Sequence, residues 1–552
     1  MSTIVYPARM IRTLGRTTPQ AEAVAVTGGR IVGVGSLESL EALPGATVDR
    51  RFADQVIVPG FVEAHSHVFG GGIWAHTYVG FFGRSDPSGR HWPGCTTLEL
   101  VLERLRTVHE LLPPGEPLLA WGLDPIYLDG ERLVGHHLDS VSDVRPIFVM
   151  HASSHLATVN LAVRLAEGIG RDSTTPGVVR DADGEPNGEL QEPAAISLAG
   201  EVWRRFVAAF GTDEAKWNFA RDGRNNGHTL LADLGASGFT DRQLDGWQRV
   251  TDDPDFPARV LVAASPFGTT QSIDELAARV VALRDRNQER LRFGVVKLIL
   301  DGSIQGFTAR LNWPYYFDPP PGSDQNGLWL IPPEQMPELV SVFHRAGLTV
   351  HCHCNGDQAV DVFLDAVEAA LTDHPRIDHR HTVQHCQLAT AAQYRRMAAL
   401  GVCANVFSNH LFYWGDEHRR FTVGPERAAA MNAAGTAEAL GIPFSFHSDS
   451  PVTPMGHLHV MWCAVNRETA TGQVLGPEER ISAASALHAA TLGAAYQLKL
   501  DHLVGSIEVG KYADFAVLGD DPLSVDPSTL RDIEVWGTVL GGVPQPAETA
   551  GA

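Results

Sequence analysis

The stretch Val58-Pro-Gly-Phe-Val-Glu-Ala-His-Ser-His67 organises the interpretation of the whole chain. An apolar run breaks at Pro59-Gly60, and a second short run then leads to His65 and His67, one residue apart. In a β-strand, residues i and i+2 share a face, so both imidazoles can point the same way. Histidine is a common zinc ligand, so the pair predicts half of a metal site, although an isolated H-x-H can also be incidental.

The bulk composition describes a globular chain of 552 residues with 44% hydrophobic and 20% charged residues. This length suits a large barrel with an accessory domain, or several small domains. The net charge of −22 argues against a nucleic-acid partner, which needs a basic face. No apolar window of about 18 residues and no signal-peptide pattern is present, which predicts no membrane association and a cytoplasmic location.

The six cysteines show no zinc-finger spacing and are predicted to be packed thiols. Both ends of the chain have a short-strand texture instead. Near the start, two apolar runs flank Thr27-Gly-Gly-Arg30, which predicts a hairpin, and similar runs follow Gly505 and Ile533. We expect the two ends to form one small domain, the alternative being two unrelated tails.

The long middle of the chain alternates strand-like and helix-like segments. This rhythm predicts βα units on a parallel sheet, and its length of more than about 400 residues favours an inserted (β/α)8 barrel over an open sheet. Residues 68–95 and 171–193 have the composition of long loops, which at a barrel mouth commonly carry substrate specificity. The segments are as follows: strands at Ile147–Met150, Ala258–Ala264, Gly294–Leu300, Thr349–His353, Thr382–His385 and Pro443–His447, and helices at Thr97–Leu112, Ile273–Asn287, Pro333–Ala346, Gln358–Leu371 and Ala389–Leu400.

Polar groups able to bind a metal follow apolar residues at five strand ends, namely that of the opening stretch and those of four of these segments. Barrel enzymes keep their catalytic groups at the carboxyl ends of the strands, so the placement predicts one shared metal site. Each residue also has a structural explanation: Lys297 could snorkel at an edge, and His385 and Asp449 could be satisfied core polar groups. His351 is the least certain, because His353 shares its face. The groups are His65 and His67, Lys297, His351 and His353, His385, and Asp449.

The ordered set of H-x-H, buried lysine, two histidines and an aspartate resembles the metal-dependent amidohydrolase superfamily. The stretch 59–67 is similar to its first-strand signature, and segments 297–303, 353–359 and 447–451 resemble the branch that includes N-substituted formamide deformylases. Further similarity lies in 155–160, 409–416 and 505–514, so the resemblance covers essentially the whole chain.

This resemblance implies an α/β fold, a (β/α)8 TIM-like barrel at 58–500 with a small β-sandwich domain formed from residues 1–57 and 501–552. It also implies one or two metal ions, usually zinc, with Mn²⁺, Fe²⁺ or Co²⁺ as alternatives. His65, His67 and Asp449 would hold one ion, and His353 and His385 a second. Lys297 would bridge them as a carbamate, and an unmodified lysine would leave a one-metal site.

The sequence departs from the family pattern near the predicted substrate. Many relatives carry Glu before the fourth histidine and Arg after the Gly-Asp pair, where this chain has Gln384 and Gln358. At the usual arginine of the Asp-Gly-Ser segment it has Phe307, with Arg310 nearby. Predicted substrate-binding residues are Trp74, His155, Arg310, Phe412 and Trp414.

The predicted reaction is hydrolysis of a non-peptide C–N bond in an N-substituted amide or formamide with an apolar or aromatic substituent. Asp449 is expected to move the proton from water to the leaving nitrogen, with His385 and His410 as further catalytic residues. One alternative is cyclic amide opening or heterocycle deamination; deamination would release ammonia, whereas ring opening and formamide cleavage would not. Another is a metal-binding barrel without turnover, and a last one is phosphotriester or lactone hydrolysis. The partners are a small-molecule amide and, by default, a second copy in a homodimer.

Overall fold

The computed structural model describes residues 2–128, 132–235, 240–320 and 326–548, and the elements below lie within these ranges. Five strands begin the chain. Gly28 and Gly29 connect the second and third strands with φ of 58° and 77°, which glycine adopts without strain, and the predicted hairpin is confirmed. The strands are β1 (Thr3–Arg12), β2 (Gln20–Thr27), β3 (Arg30–Gly35), β4 (Ala46–Val48) and β5 (Val56–Pro59).

The α-helices lie mostly between strands. Several begin at capping boxes, in which a Ser or Thr side chain and a Glu or Gln three residues later satisfy backbone N–H groups, as at Ser272 and Thr390. The five predicted helices are confirmed within a few residues. The helices are α1 (Leu37–Glu41), α2 (Phe69–Gly72), α3 (Leu98–Leu111), α4 (Gly135–Asp139), α5 (Leu161–Glu167), α6 (Glu192–Ile196), α7 (Gly200–Ala208), α8 (Asp213–Asn225), α9 (Asp241–Thr251), α10 (Ile273–Arg284), α11 (Met336–Arg345), α12 (Asp357–Asp373), α13 (Ala391–Leu400), α14 (His410–Glu417), α15 (Gly424–Ala429), α16 (Ala434–Ala439), α17 (His457–Asn466), α18 (Ala483–His488) and α19 (Ala494–Gln497).

A separate sheet follows β6 (Phe61–Ser66), the strand that carries the H-x-H pair. Six strands form it in the order β13-β14-β12-β11-β10-β7, so the predicted strand at Ile147 exists but lies outside the sheet of the site. The segments 68–95 and 171–193, predicted as loops, contain short strands. The strands are β7 (Thr77–Tyr78), β8 (Arg84–Ser85), β9 (His91–Trp92), β10 (Leu118–Leu123), β11 (Ile147–His151), β12 (Leu156–Val159), β13 (Val178–Arg180) and β14 (Pro186–Gln191).

Parallel pairing then joins β6 to β15 (His228–Asp233), a strand far along the chain. One sheet has the order β17-β16-β15-β6 and a second β18-β19-β20-β21-β22, and a parallel bridge between Ala264 and Val296 connects them. After β22, Asp449 N donates to His65 O over 3.1 Å and His67 N donates to Ser450 O over 2.9 Å. The strands are β15 (His228–Asp233), β16 (Arg259–Val262), β17 (Leu291–Arg292), β18 (Val295–Ile299), β19 (Thr349–Cys354), β20 (Thr382–His385), β21 (Cys403–Val406) and β22 (Phe444–Phe446).

The last strands return to the first ones. These are β23 (Phe515–Leu518), β24 (Val535–Leu540) and β25 (Val543–Pro546), and β23 pairs antiparallel with β5, Phe515 opposite Pro59. Both ends of the chain therefore share one sheet, while its description as a sandwich and the domain limits stay predictions. Within the described ranges, no helix has the length and apolar character needed to cross a membrane.

Candidate metal centre

The carboxyl ends of the parallel strands gather the predicted ligands at one edge. His65, Lys297 and His353 lie on β6, β18 and β19, and His385 ends β20. The remaining two, His67 and Asp449, follow β6 and β22 directly, and all six line one cavity. His385 and Asp449 have φ of 73° and 56°, a left-handed backbone that non-glycine residues adopt mostly under local constraint.

His65, His67 and Asp449 form the first group of donors. Asp449 Oδ1 lies 3.0 Å from His67 Nε2 and 3.4 Å from His65 Nε2. One ligand atom from each residue falls within 4.8 Å of the others. Two imidazoles and a carboxylate at this spacing can share a divalent cation.

Lys297 lies inside the same group. Its Nζ is 3.0 Å from His65 Nε2, and the residue is only 2% exposed. Burial lowers the pKa of Lys297 to about 8, against the opposing charge of Asp449. The amine therefore loses its proton more readily than a surface lysine does, which makes it more nucleophilic near neutral pH.

His353 and His385 form the second group. His353 Nδ1 and His385 Nε2 lie 3.0 Å apart and face each other across neighbouring strands. Asp449 Oδ2 lies 3.9 Å from the His385 ring, so the carboxylate stands between the two groups. These are the two residues predicted to hold a second cation.

Hydrogen bonds behind the rings determine which nitrogen carries the proton. Asn405 Nδ2 donates to Gln384 Oε1 over 2.7 Å, and this bond turns the amide oxygen of Asn405 toward His447. Because that oxygen can only accept, His447 Nδ1 is the donor over 3.0 Å. His447 Nε2 then accepts from His385 Nδ1 over 3.0 Å, which leaves the lone pair of His385 Nε2 free. Gln384 Oε1 also accepts from His65 Nδ1 over 2.7 Å, and His65 Nε2 is freed in the same way. This is the tautomer in which an imidazole binds a metal.

Burial keeps these histidines neutral. It lowers the pKa of His65, His353 and His385 well below the ordinary value, and neighbouring positive groups add to the effect. Burial acts to raise the pKa of Asp449, but the hydrogen bond from His67 and the nearby positive groups outweigh it, and the net shift is downward. Neutral imidazoles and an anionic carboxylate are the donor forms that a divalent cation requires, so the residues fit such an ion.

Sequence reasoning missed His447, Gln384 and Asn405 as supporting residues. His447 lies within ligand distance of His65 and His385, and Gln384 Nε2 donates to His351 Nδ1 over 2.8 Å. The doubtful His351 therefore supports Gln384. Polar residues adjacent to a ligand, or two positions away on a strand, were the available signal for these contacts.

A large cavity opens from the metal centre, with a volume of about 1200 Å³. His155 lines it, and His155 Nδ1 bonds Glu192 Oε2 over 2.7 Å. Burial alone would lower the pKa of His155, but Glu192 outweighs it and the net shift is upward. Much of the remaining wall is apolar, which suits a hydrophobic substituent. Its apolar side chains include Ile73, Met150, Trp203, Phe206, Phe210, Leu234 and Trp247.

Four predicted substrate residues lie elsewhere and are not among the described residues that line this cavity. Trp74 packs on Trp121, and Arg310 Nε donates to Gln358 Oε1. Their predicted role in substrate binding has no support from this placement and stays a prediction. The other two are Phe412, which packs on Trp462, and Trp414, which donates from Nε1 to Asp124 Oδ2 over 2.9 Å.

His410 lies beside a second, much smaller space that we call the small recess. It is lined by Ser303, Asn355, Gln387 and His410, together with His353, His385 and Asp449 of the centre. His410 Nε2 is 3.3 Å from Gln305 Oε1, and its Nδ1 is 3.2 Å from His418 Nε2. His410 is thus near the centre, and its catalytic role stays a prediction.

Fold and site together define a metal-dependent hydrolase of mixed α/β structure. A family model described as "Amidohydrolase family" matches residues 53–545. The chain therefore belongs to the amidohydrolase family, and it is an enzyme that acts on carbon–nitrogen bonds other than peptide bonds.

Individual relatives are distant. The chain is 28% identical over 544 residues to Protein LONG AFTER FAR-RED 3 of Arabidopsis thaliana, covering 96% of this chain and 89% of that protein. It is 26% identical over 555 residues to an N-substituted formamide deformylase of Arthrobacter pascens, covering 97% and 96%. An uncharacterized metal-dependent hydrolase from Pyrococcus horikoshii OT3 has the same fold, with a TM-score of 0.69 at 20% identity over 95% and 99% of the two chains.

Proposed function

We propose that this protein hydrolyses an N-substituted amide or formamide whose nitrogen carries an apolar or aromatic group. The observation that carries the proposal is the convergence of six donors at the foot of a cavity with largely apolar walls. The relative named as an N-substituted formamide deformylase supports the choice of bond. The apolar wall supports the choice of substituent.

Different residues of the chain have separate roles in the proposed reaction. Bound at the centre, a divalent cation supplies Lewis acidity and makes water acidic enough to ionise near neutral pH. Asp449, held by His67 over 3.0 Å, takes the proton of the attacking water and passes it to the leaving nitrogen. His155, whose Nδ1 is held by Glu192, offers Nε2 as a donor to the substrate carbonyl.

We propose zinc for this centre, because imidazole donors together with a carboxylate are ligands that zinc accepts. Lys297 would become a carbamate by reaction of its amine with carbon dioxide, and the lowered pKa supports this. The eight parallel strands β6, β15, β16, β18, β19, β20, β21 and β22 would form a closed barrel. The hydrogen bonds between the segment after β22 and the segment around His65 and His67 support closure.

The test combines metal analysis of the purified protein with a substrate screen. We expect at least one equivalent of metal and turnover of formamides or acyl amides in preference to cyclic imides. Asp449→Asn should lower kcat/KM by about 10³-fold with the fold retained, and the exposed Asp520→Asn should be neutral. Full activity of Asp449→Asn, or of a metal-free protein, would refute the mechanism.

A further inference from the structure

The small recess adjoins the centre: the mechanism uses His155 and Asp449 of its lining but not Ser303, Asn355 or Gln387. Its volume of about 20 Å³ is close to that of one water-sized group. His353, His385 and Asp449 line both this recess and the large cavity. A substrate whose carbonyl carbon sits at the centre therefore has two directions to fill, one large and largely apolar and one very small.

Three polar atoms of the recess have no hydrogen-bond partner among the described residues. They are Ser303 Oγ, Asn355 Oδ1 and Gln387 Nε2, on side chains that are more than nine-tenths buried. Asn355 Nδ2 donates to Gly302 O over 2.8 Å, and this bond leaves Oδ1 for another donor. Buried polar atoms are normally satisfied, so the two acceptors in this recess, Asn355 Oδ1 and Ser303 Oγ, indicate a ligand group with hydrogen-bond donors.

We infer that the recess binds a single polar atom attached to the acyl carbon, and that the protein hydrolyses N-monosubstituted ureas as well as formamides. The inference rests on the proposed function and specifies its substrate. The unsubstituted amino group of such a urea is one heavy atom with two N–H donors, which match Asn355 Oδ1 and Ser303 Oγ. The substituted nitrogen then lies toward the large cavity.

Other acyl groups fit less well. A formyl group directs only a hydrogen atom toward the recess, and the space that remains holds about one water. That water can form hydrogen bonds to the same three atoms. The methyl group of an acetamide fills the recess and bonds to none of them. A site built to hydrogen-bond a substrate group discriminates strongly against an analogue that lacks it.

The reaction balances without a further reagent. The hydroxyl of water adds to the urea carbonyl carbon, the bond from that carbon to the substituted nitrogen breaks, and the remaining proton of water goes to the leaving amine. The products are the amine and carbamic acid, which decomposes to ammonia and carbon dioxide. Ammonia release therefore separates urea cleavage from formamide cleavage.

The first test compares three compounds with the same amine: N-(cyclohexylmethyl)formamide, N-(cyclohexylmethyl)urea and N-(cyclohexylmethyl)acetamide. We expect kcat/KM for the urea to lie within about 10-fold of the value for the formamide. For the acetamide we expect kcat/KM to be at least about 10²-fold below the value for the formamide. Turnover of the formamide without the urea, or equal turnover of the acetamide, overturns the inference and leaves the proposed function intact.

The second test replaces an acceptor in the recess. Ser303→Ala should lower the ratio of urea to formamide kcat/KM by about 10-fold, because one N–H loses its partner. Ser142→Ala, a buried serine outside both cavities, is the matched control and should leave the ratio unchanged. An unchanged ratio in Ser303→Ala overturns the assignment.

Binding provides a readout that does not need turnover. With its metal content measured in parallel, because Asp449 is also a predicted ligand, the Asp449→Asn variant should gain more in melting temperature from the urea than from the acetamide. Ser303→Ala in that background should remove the difference. If none of the three compounds is turned over, the proposed function fails. The binding measurement then tests the recess by itself. Equal shifts in melting temperature with the urea and the acetamide overturn the inference that the recess binds a polar atom.

Discussion

His447 fixes the tautomer of a metal ligand without being required as a ligand itself. It accepts from His385 Nδ1, and replacing it by Phe removes that acceptor while keeping the ring volume. We expect His447→Phe to weaken metal binding by about 10–100-fold, since outer partners of metal-binding histidines contribute that much. Competition with a chromophoric chelator measures the metal Kd directly.

A half-buried histidine provides the control. His459 stacks on Trp462, away from the centre, and burial lowers its pKa to about 4. His459→Phe should leave the metal Kd unchanged. If His447→Phe binds metal as tightly as the unaltered protein does, the tautomer argument is wrong.

The sequence predicted which ligand-type residues would meet but not what holds them. His65, His67, Lys297, His353, His385 and Asp449 follow apolar runs, and that local signal places them at one edge of a parallel sheet. Asn405 lies on strand β21 and His447 lies just after β22. Asn405 bonds His447, which in turn bonds His385. Such contacts depend on strand register and side-chain direction, which a single sequence does not reveal.

Among the elements, the turn after α15 depends on one buried arginine. Arg467 ends α17 and donates to the carbonyl oxygens of Leu475, Asn432, Ala429 and Met431 at 2.7–3.1 Å. Arg467→Met would leave buried carbonyls unpaired, and we expect a loss of about 3 kcal/mol or more in the free energy of unfolding. Denaturant titration measures it.

Arg480, nearby in the chain, is the matched control. It is exposed and donates from Nε to Asn466 O over 2.9 Å. Arg480→Met should cost less than about 1 kcal/mol. Similar losses in both variants would contradict the special role of Arg467.

The π-helical turn His418–Thr422 after α14 contains a pH-sensitive group. His418 is fully buried, and burial lowers its pKa to about 3, whereas an unfolded histidine titrates near 6.5. Its contribution to stability is therefore complete above pH 6.5 and is lost as pH falls toward 3. We compare the free energy of unfolding of the unaltered protein with that of His418→Gln. The difference between the two should fall by about 1.4 kcal/mol per pH unit below 6.5.

Chemical unfolding of both proteins at several pH values between 6.5 and 4.5 gives this difference. Titrating groups away from residue 418 are the same in both proteins and cancel; His410, whose Nδ1 lies 3.2 Å from His418 Nε2, is part of the measured difference. A difference that does not change with pH would mean that the pKa of His418 is the same in the folded and unfolded states.

Helices and strands whose apolar residues recur with a clear period were predicted, whereas elements whose residues interrupt such a period were missed. The helix Asp357–Asp373 and the strand Thr349–Cys354 follow their patterns closely. The strand β21 (Cys403–Val406) was not predicted, because Asn405 interrupts a short apolar run and is buried in the polar network instead. The strands of residues 68–95 have two residues each, too few for a period to appear.

For the whole molecule, one buried ion pair connects the parallel strands to the sheet formed by both chain ends. Arg259 on β16 bonds both oxygens of Asp514, at 2.6 and 3.0 Å, just before β23. We expect Arg259→Met to cost about 3–5 kcal/mol of unfolding free energy, because it leaves a buried carboxylate without its charge partner. Calorimetry or denaturant titration measures the loss.

The exposed pair of Arg9 and Asp520 is the control, with side chains 50% and 65% exposed. Arg9→Met should cost about 0–1 kcal/mol, as surface pairs do. Equal effects of the two variants would show that the buried pair does not hold the two parts together.

The pairing of β5 with β23 has a consequence for biosynthesis. During translation, β5 leaves the ribosome long before Phe515 has been made, so one edge of the first strands stays open while the intervening hydrolase core is synthesised. An open strand edge invites pairing with other nascent chains. We therefore expect that edge to be the part of the nascent chain most exposed to wrong pairing until the last strands emerge and complete it.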